Sequence, residues 1–389
     1  MIWVIAFCSL LMVALDYMIS KRWAMPCRRV YMAVTFAFDL LPLLMSAIDF
    51  LLIKDNTTWF TLFSMWMTFL YMVLSIARMP MNLSFVFSRK TLWRVVGVGV
   101  SCACVALFVY GMAVTRIDYK VNRVVVTSQR LPKSFDGYRI VQISDLHVGT
   151  MLSPVEEVQN IVDICNSLDA DMVAHCGDLV NIRYDELEGT VVEKLSQLRA
   201  KDGVFTITGN HDTGGYIKDS ISLTPDYNLA QLKEIQRKMG WRMIDDRSVY
   251  VKRGVDSISI TGVSFDRKLQ DYRHSFELPD VNILNCYNGV PKELFNVSLV
   301  HAPQLWDKIL EHRLADLTLS GHVHAMQMKF PIGKRGVSPS MLIYKRWSGL
   351  YQEQGRSLYI NDGIGCVMYP MRIGLARPEI TLIELKAVR

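Results

Sequence analysis

Apolar positions fall into two regimes along the chain. Up to about residue 115 they run on almost unbroken. Asn56–Ala77 and Val95–Thr115 carry no charged residue, and a hydrocarbon core is spanned by about 20 apolar residues of helix. Met1–Ser20 is a third such stretch, with Asp16 near its end. Val30–Ile53 is a fourth, interrupted by Asp39, Pro42 and Asp49. Trp3, Trp23, Trp59 and Trp93 lie near the ends of these runs, where amphipathic rings favour the membrane interface. The pattern predicts about four transmembrane helices rather than a soluble bundle. Asp39 falls inside a predicted span, where a carboxylate is costly. It is protonated or hydrogen-bonded within the bundle, or its helix dips without spanning, or it is functional.

Beyond residue 115 short apolar runs alternate with amphipathic ones. Val124–Thr127, Arg139–Ser144, Asp171–Cys176 and Gly203–Thr208 read as strands. Later strands are expected at Ser257–Val263, Asn296–Val300, Asp316–Leu319, Ser357–Ile360 and Glu379–Leu385. Helical spacing marks Pro154–Leu168, Asp185–Arg199 and Asn228–Met239, the first with Ser153 as N-cap. Strands alternating with helices predict a mainly parallel, layered α/β fold. Residues 331–356, rich in Gly, Ser, Lys and Arg, read as a surface excursion.

Charge sharpens this division. The 389 residues carry a net charge of +6, of which residues 1–115 hold +5 and the remainder +1. A nearly neutral second part gives no indication of nucleic-acid binding. Basic residues follow the first apolar run instead of preceding it, so it reads as an anchor and not as a cleaved leader. Lys21, Arg22, Arg28 and Arg29 sit in the first loop, Lys54 in the second, and Arg78, Arg89, Lys90 and Arg94 in the third. Basic loops prefer the cytoplasm, so four spans would leave the C-terminal part outside. The eight cysteines show no CxxC spacing and suggest neither a disulfide framework nor a zinc–thiolate site.

The candidate chemistry lies at the predicted strand ends. They carry Asp145-Leu146-His147, Gly177-Asp178, Gly209-Asn210-His211-Asp212, His301, and Gly321-His322-Val323-His324. Loops beyond strand C-termini are where such sheets gather their chemistry. Carboxylates, imidazoles and an amide without thiolates suit Mn, Fe or Zn. Two divalent ions about 3.5–4 Å apart can activate water and clamp a phosphoester oxygen. Glycines at 177, 209 and 321 let the backbone turn sharply beside the ions.

This series resembles the calcineurin-like metallophosphoesterase superfamily over roughly residues 138–385, with all its motifs intact. The resemblance implies a four-layer α/β/β/α sandwich preceded by the transmembrane region. Domains would then be 1–115, a connecting segment with the first strand at 116–137, and a catalytic domain at 138–389. It further implies that Asp145, His147 and His324 hold one metal ion. Asn210, His301 and His322 would hold the other, with Asp178 bridging. His211 would protonate the leaving oxygen or stabilise the transition state, and Asp212 would orient His211. A hydroxide shared by the ions would attack phosphorus in line.

With its N-terminal helices, the chain is also similar to bacterial membrane-anchored phosphoesterases. That implies a bacterial inner-membrane protein, whose catalytic domain the loop charges place outside the cytoplasm. The substrate would be a phosphate mono-, di- or pyrophosphate ester, lipid-linked or soluble. One alternative is a UDP-2,3-diacylglucosamine-type pyrophosphohydrolase of lipid A metabolism, although that group carries Arg where His211 stands. A non-catalytic membrane sensor with the same fold is another. His175 is expected to be packed beside the site, and His274 and His312 to lie on the surface. Asn181, Arg183 and Tyr184 would either reach a phosphate or lie in a solvated loop. Trp347, Gly349 and Tyr351 are candidates for a lipid-facing rim.

Overall fold

The structure, a computed structural model, describes residues 2–23, 27–52, 59–217, 223–333, 335–367 and 370–388. The chain divides into two units, Met1–Met112 and Ala113–Arg389.

The first unit consists of α1 (Ile2–Arg22), α2 (Arg28–Leu52), α3 (Trp59–Phe87) and α4 (Thr91–Ala113). Helices over residues 28–48, 66–87 and 91–117 are long and apolar enough to cross a membrane. The third helix departs from expectation. It does not end at residue 77 but continues through Arg78 and Pro80 to Phe87. Arg78 is therefore a helix-interior residue and not a loop charge. A proline inside a helix leaves neighbouring backbone groups to be satisfied from outside. Here the Met81 amide donates to Ser101 Oγ of α4 at 3.0 Å. The expected 54–58 loop, with Lys54, and the Asp49 side chain lie outside the described residues.

The second unit runs β1 (Lys120–Ser128), β2 (Arg139–Ile143), α5 (Pro154–Ser167), β3 (Met172–His175), α6 (Gly189–Leu195), β4 (Val204–Thr206) and α7 (Pro225–Lys238). It continues with β5 (Arg242–Met243), β6 (Arg247–Arg253), β7 (Asp256–Val263), β8 (Asn296–Val300), α8 (Trp306–Glu311) and β9 (Leu317–Ser320). It closes with β10 (Met328–Lys329), β11 (Gly349–Glu353), β12 (Arg356–Ile360), β13 (Ile373–Gly374) and β14 (Glu379–Ala387). Two six-stranded sheets result, ordered β1-β14-β2-β3-β4-β5 and β11-β12-β9-β8-β7-β6.

Strand periodicity builds the layers. Side chains alternate across a strand, so Val141, Ile143 and Val173 pack against α5–α7. Their neighbours Ile140, Met172 and Ala174 meet Ile260, Val297 and Leu319 of the other sheet. On the far side of that sheet, Val300, Leu358 and Ile360 pack on Trp306 and Ile309 of α8. The outcome is helix, sheet, sheet, helix. Both sheets are parallel at their centres; β14–β2, β6–β7 and β11–β12 are antiparallel.

Three details differ from the sequence reading. The helix expected over Asp185–Arg199 shrinks to Gly189–Leu195, because Glu186 turns inward and accepts the amides of Ile182 and Arg183. Ser153 stands at the N-cap position of α5 but makes no cap hydrogen bond, and Glu157 accepts the Leu152 and Ser153 amides instead. Residues 331–356 are not merely a surface excursion, since they contain β11 and bury Tyr344, Arg346 and Trp347.

Candidate metal centre

The parallel centre of each sheet delivers its strand ends to one place. β2 runs into Asp145 and His147, β3 into Asp178, and β4 into Asn210, His211 and Asp212. From the other sheet β8 runs into His301 and β9 into His322 and His324. All nine residues are buried.

The backbone at these positions is unusual. Asp145, His147, Asp178, His322 and His324 have φ of +56°, +44°, +58°, +73° and +53°. Non-glycine residues in this region cost about 1–3 kcal/mol each and persist only where surroundings enforce them. Here the Asp145 amide donates to Gly177 O at 2.9 Å, and the His147 amide to Asp178 O at 3.2 Å. The His322 amide donates to the Asp145 carboxylate at 3.1 Å. Glycine is needed at 321, because a Cβ there would lie 2.2 Å from Asp145 Oδ2.

The ligand atoms form two adjoining sets. In the first, His324 Nε2 is 3.1 Å from both His147 Nε2 and Asp145 Oδ1. In the second, Asn210 Oδ1 is 2.9 Å from His301 Nε2 and 2.7 Å from His322 Nδ1. Asp178 Oδ2 lies between the sets, 3.7 Å from His147 Nε2 and 3.2 Å from His301 Nε2.

Hydrogen bonding fixes which nitrogens face inward. His301 Nδ1 donates to Cys176 O at 2.8 Å, and His322 Nε2 to Arg273 O at 2.9 Å. In neutral rings the other nitrogens then carry lone pairs. Asn210 Nδ2 donates to Tyr216 OH at 3.0 Å, which turns Oδ1 toward those lone pairs. With both rings neutral three acceptors converge without a donor, an arrangement that a divalent cation satisfies; without one, Asp178 favours a proton on His301 in its place. The donor set fits a divalent metal.

The electrostatics agree. Burial disfavours a charged His301, but Asp178 outweighs it and moves the ring up to about 9. Burial likewise opposes ionisation of Asp145, yet His324 and His301 hold its carboxyl below the usual range. His322 is driven down to about 3 by burial and by His301. Asp178 and Asp145 thus attract positive charge to His301, while His322 stays neutral.

His211 stands beside both sets. Its Nδ1 donates to Asn181 O at 2.6 Å, its ring meets His147 edge-on at 4.6 Å, and Tyr216 stacks on it at 4.1 Å. Asp212 does not orient it, which corrects the expectation. Its carboxylate accepts the backbone amides of Asp178, Leu179, Val180 and Gly209. The short side chain faces back into the two ligand loops and ties them together.

His175 is fully buried in β3 and bonded to Thr206 Oγ1. His274 is more than a surface residue: it bonds Tyr344 OH at 2.7 Å and stacks on His322 at 6.0 Å. Arg183 pairs with Asp185 at 2.8 Å. Trp347 is 7% exposed and belongs to the core under α8, so it forms no rim. The sequence reading did not single out Tyr216, Arg273 or Tyr344, which surround the centre singly and without a motif.

A four-layer α/β sandwich with adjoining His/Asp donor sets at its strand ends defines a metal-dependent phosphoric ester hydrolase. Residues 138–326 match the calcineurin-like phosphoesterase family, and the chain carries a metallophosphoesterase domain of that family. It is 29% identical over 269 residues to the uncharacterized metallophosphoesterase YkuE of Bacillus subtilis, covering 67% of this chain and 84% of that protein. It is 30% identical over 288 residues to a Danio rerio transmembrane protein with metallophosphoesterase domain. That match covers 72% of this chain and 60% of the relative. A Chlamydia trachomatis UDP-2,3-diacylglucosamine pyrophosphatase, LpxG, is 25% identical over 300 residues, covering 64% and 85%. A solved phosphopantetheinyl hydrolase from Mycobacterium tuberculosis aligns over 63% of this chain and 98% of its own, at 15% identity and a TM-score of 0.37.

Proposed function

We propose that the chain is a membrane-anchored phosphoesterase using two divalent ions. Asp145, His147 and His324 hold one ion, Asn210, His301 and His322 the other, and Asp178 serves both. The carrying observation is Asp178 Oδ2, which lies between two complete donor sets. When bound, the ions supply a nucleophile from water and neutralise phosphate oxygens. Asp178 and Asn210 fix the reacting geometry. His211, oriented by the Asn181 carbonyl, holds or gives a proton at the leaving oxygen. Arg273, whose guanidinium lies over the Tyr216 ring at 5.3 Å, adds a cation at the rim.

The apolar helices support a substrate at or near a bilayer, such as a phospholipid headgroup or lipid-linked sugar phosphate. The relative named UDP-2,3-diacylglucosamine pyrophosphatase supports a lipid-linked pyrophosphate as the second reading. Basic residues at 21–29 and 89–94 support cytoplasmic placement of both loops, and so an extracytoplasmic catalytic unit in an inner membrane.

Purified protein with Mn2+ is expected to hydrolyse an aryl phosphodiester or monoester. Asp178→Ala and His301→Ala are each expected to abolish turnover. Full activity in both variants would overturn the reading. Hydrolysis screened across nucleotides and membrane lipids then separates the substrate classes.

A further inference from the structure

The apolar helical unit hides a polar seam. α3 carries Tyr71, Ser75, Arg78 and Asn82 at spacings of four, three and four, which places them on one helix face. Tyr71, Ser75 and Asn82 are 4%, 2% and 1% exposed. Facing them are Ser9 and Asp16 of α1 and Tyr31 and Asp39 of α2. Tyr71 OH meets Ser9 Oγ at 3.2 Å. Arg78 Nη2 reaches Asp16 Oδ2 at 3.2 Å and Asp39 Oδ1 at 3.0 Å. Tyr31 OH and Asn82 Nδ2 both donate to Asp16 Oδ1, at 2.8 and 3.1 Å.

The charges in this seam do not balance. One guanidinium faces two carboxylates, which are 1% and 0% exposed. Among the described residues no second lysine or arginine pairs with either carboxylate. The nearby Arg28 bonds Ser20 Oγ instead, and α4 buries only the neutral Gly97, Ser101, Phe108 and Gly111. An excess negative charge inside a bundle surrounded by hydrocarbon is strongly unfavourable. Arg78 Nε is also buried on the seam with no hydrogen-bond partner among the described residues.

We propose that the seam is a proton-binding site, with one exchangeable proton from water held on the Asp39 carboxyl. The two carboxylates are not equivalent. Asp16 accepts hydrogen bonds from three side chains, Arg78, Tyr31 and Asn82. Among the described residues Asp39 accepts from Arg78 alone. Binding forms one O–H bond on Asp39 and leaves the Asp16–Arg78 pair neutral overall. The membrane unit thereby holds a titratable group, distinct from the hydrolytic centre.

Infrared spectroscopy of the full chain reconstituted in phospholipid vesicles tests this at neutral pH. The wild type minus Asp39→Asn difference spectrum is expected to show one protonated-carboxyl C=O band, shifting in D2O, while the signal of carboxyls such as Glu186 is common to both and cancels. Arg78→Gln removes the guanidinium that faces both carboxylates, so the protonated-carboxyl signal of the seam is expected to double. Phosphoester hydrolysis by Asp39→Asn serves as the folding control, since Asp39 belongs to no part of the hydrolytic centre. Identical carboxyl regions in wild type and Asp39→Asn would overturn the proposal. So would thermal stabilisation by sodium ions at fixed pH with no such band, which would assign a metal cation to the seam.

Discussion

Gly321 marks how little room the centre leaves. An added methyl would lie 1.9 Å from Ser144 Oγ and 2.2 Å from Asp145 Oδ2. Overpacking of this kind costs about 1–3 kcal/mol, and here it acts on a candidate ligand. Gly321→Ala is expected to bind one ion per chain instead of two, with turnover reduced at least tenfold; elemental analysis of the purified variant checks it. Glu186 offers a pH signature outside the ligand set. Burial pushes its carboxyl up to about 7, against the pull of the amides of Asn181, Arg183, Ile182 and Gly149. The folded chain therefore holds this proton more tightly than the unfolded chain between about 4.5 and about 7. The group's contribution is full below that window and is lost as pH rises through it. Glu186→Gln is expected to flatten this fall, as read by denaturant unfolding at either end of the window. Asp145, Asp178, Asn210, His322 and His324 were legible in the sequence because each stands in a short string just after an apolar strand, and His301 because it ends one alone. Tyr216, Arg273 and Tyr344 were not, since only tertiary folding brings such isolated residues together.

At the scale of elements, the loop after β12 is held by one side chain. Arg372 is fully buried and donates to the carbonyls of Gly365 at 3.1 Å, Asp362 at 3.0 Å and Ala376 at 3.2 Å. That loop in turn lies against the ligand strand end, with the Gly365 amide on Asp145 O at 2.8 Å. Removing the guanidinium orphans these acceptors, each at a cost of about 1–3 kcal/mol. Arg372→Met is expected to weaken by at least tenfold the ion binding proposed for Asp145, His147 and His324, with excess Mn2+ restoring occupancy. Calorimetric titration resolving two sites decides it; unchanged affinity at both would refute the link. Legibility of the elements followed burial. Central strands such as Asn296–Val300, buried at every position, stood out as apolar runs. Arg247–Arg253 and Gly349–Glu353 are sheet edges with exposed, charged positions, and their pattern resembles a loop. The end of α3 was missed because Arg78 reads as a loop charge until its two carboxylate partners are seen.

For the whole molecule, metal binding and stability are linked. Ions that bind only the folded state stabilise it by about 2.7 kcal/mol at 100 times the dissociation constant. Mn2+ added to chelator-treated protein is expected to raise the unfolding midpoint of wild type and to leave that of Asp178→Ala nearly unchanged. Calorimetry of both proteins across a metal series measures this. The division into an apolar basic part and a nearly neutral part was plain from charge and hydropathy alone. The double-sheet architecture was implied only through motif resemblance, since no local pattern says which strands share a sheet.

The order β1-β14-β2 carries a consequence for biogenesis. β1 follows directly on the helical unit, yet its partner in the sheet is β14, and Lys120 pairs with Glu379. Pairings this distant in sequence form slowly and leave strand edges exposed meanwhile. While the ribosome is still making residues 129–378, β1 has no neighbour, whereas the helices can already enter the bilayer. The nascent chain would thus be tethered well before its hydrolytic half can close. Shielding of that open edge by chaperones, rather than the speed of membrane insertion, is expected to limit the yield of active protein.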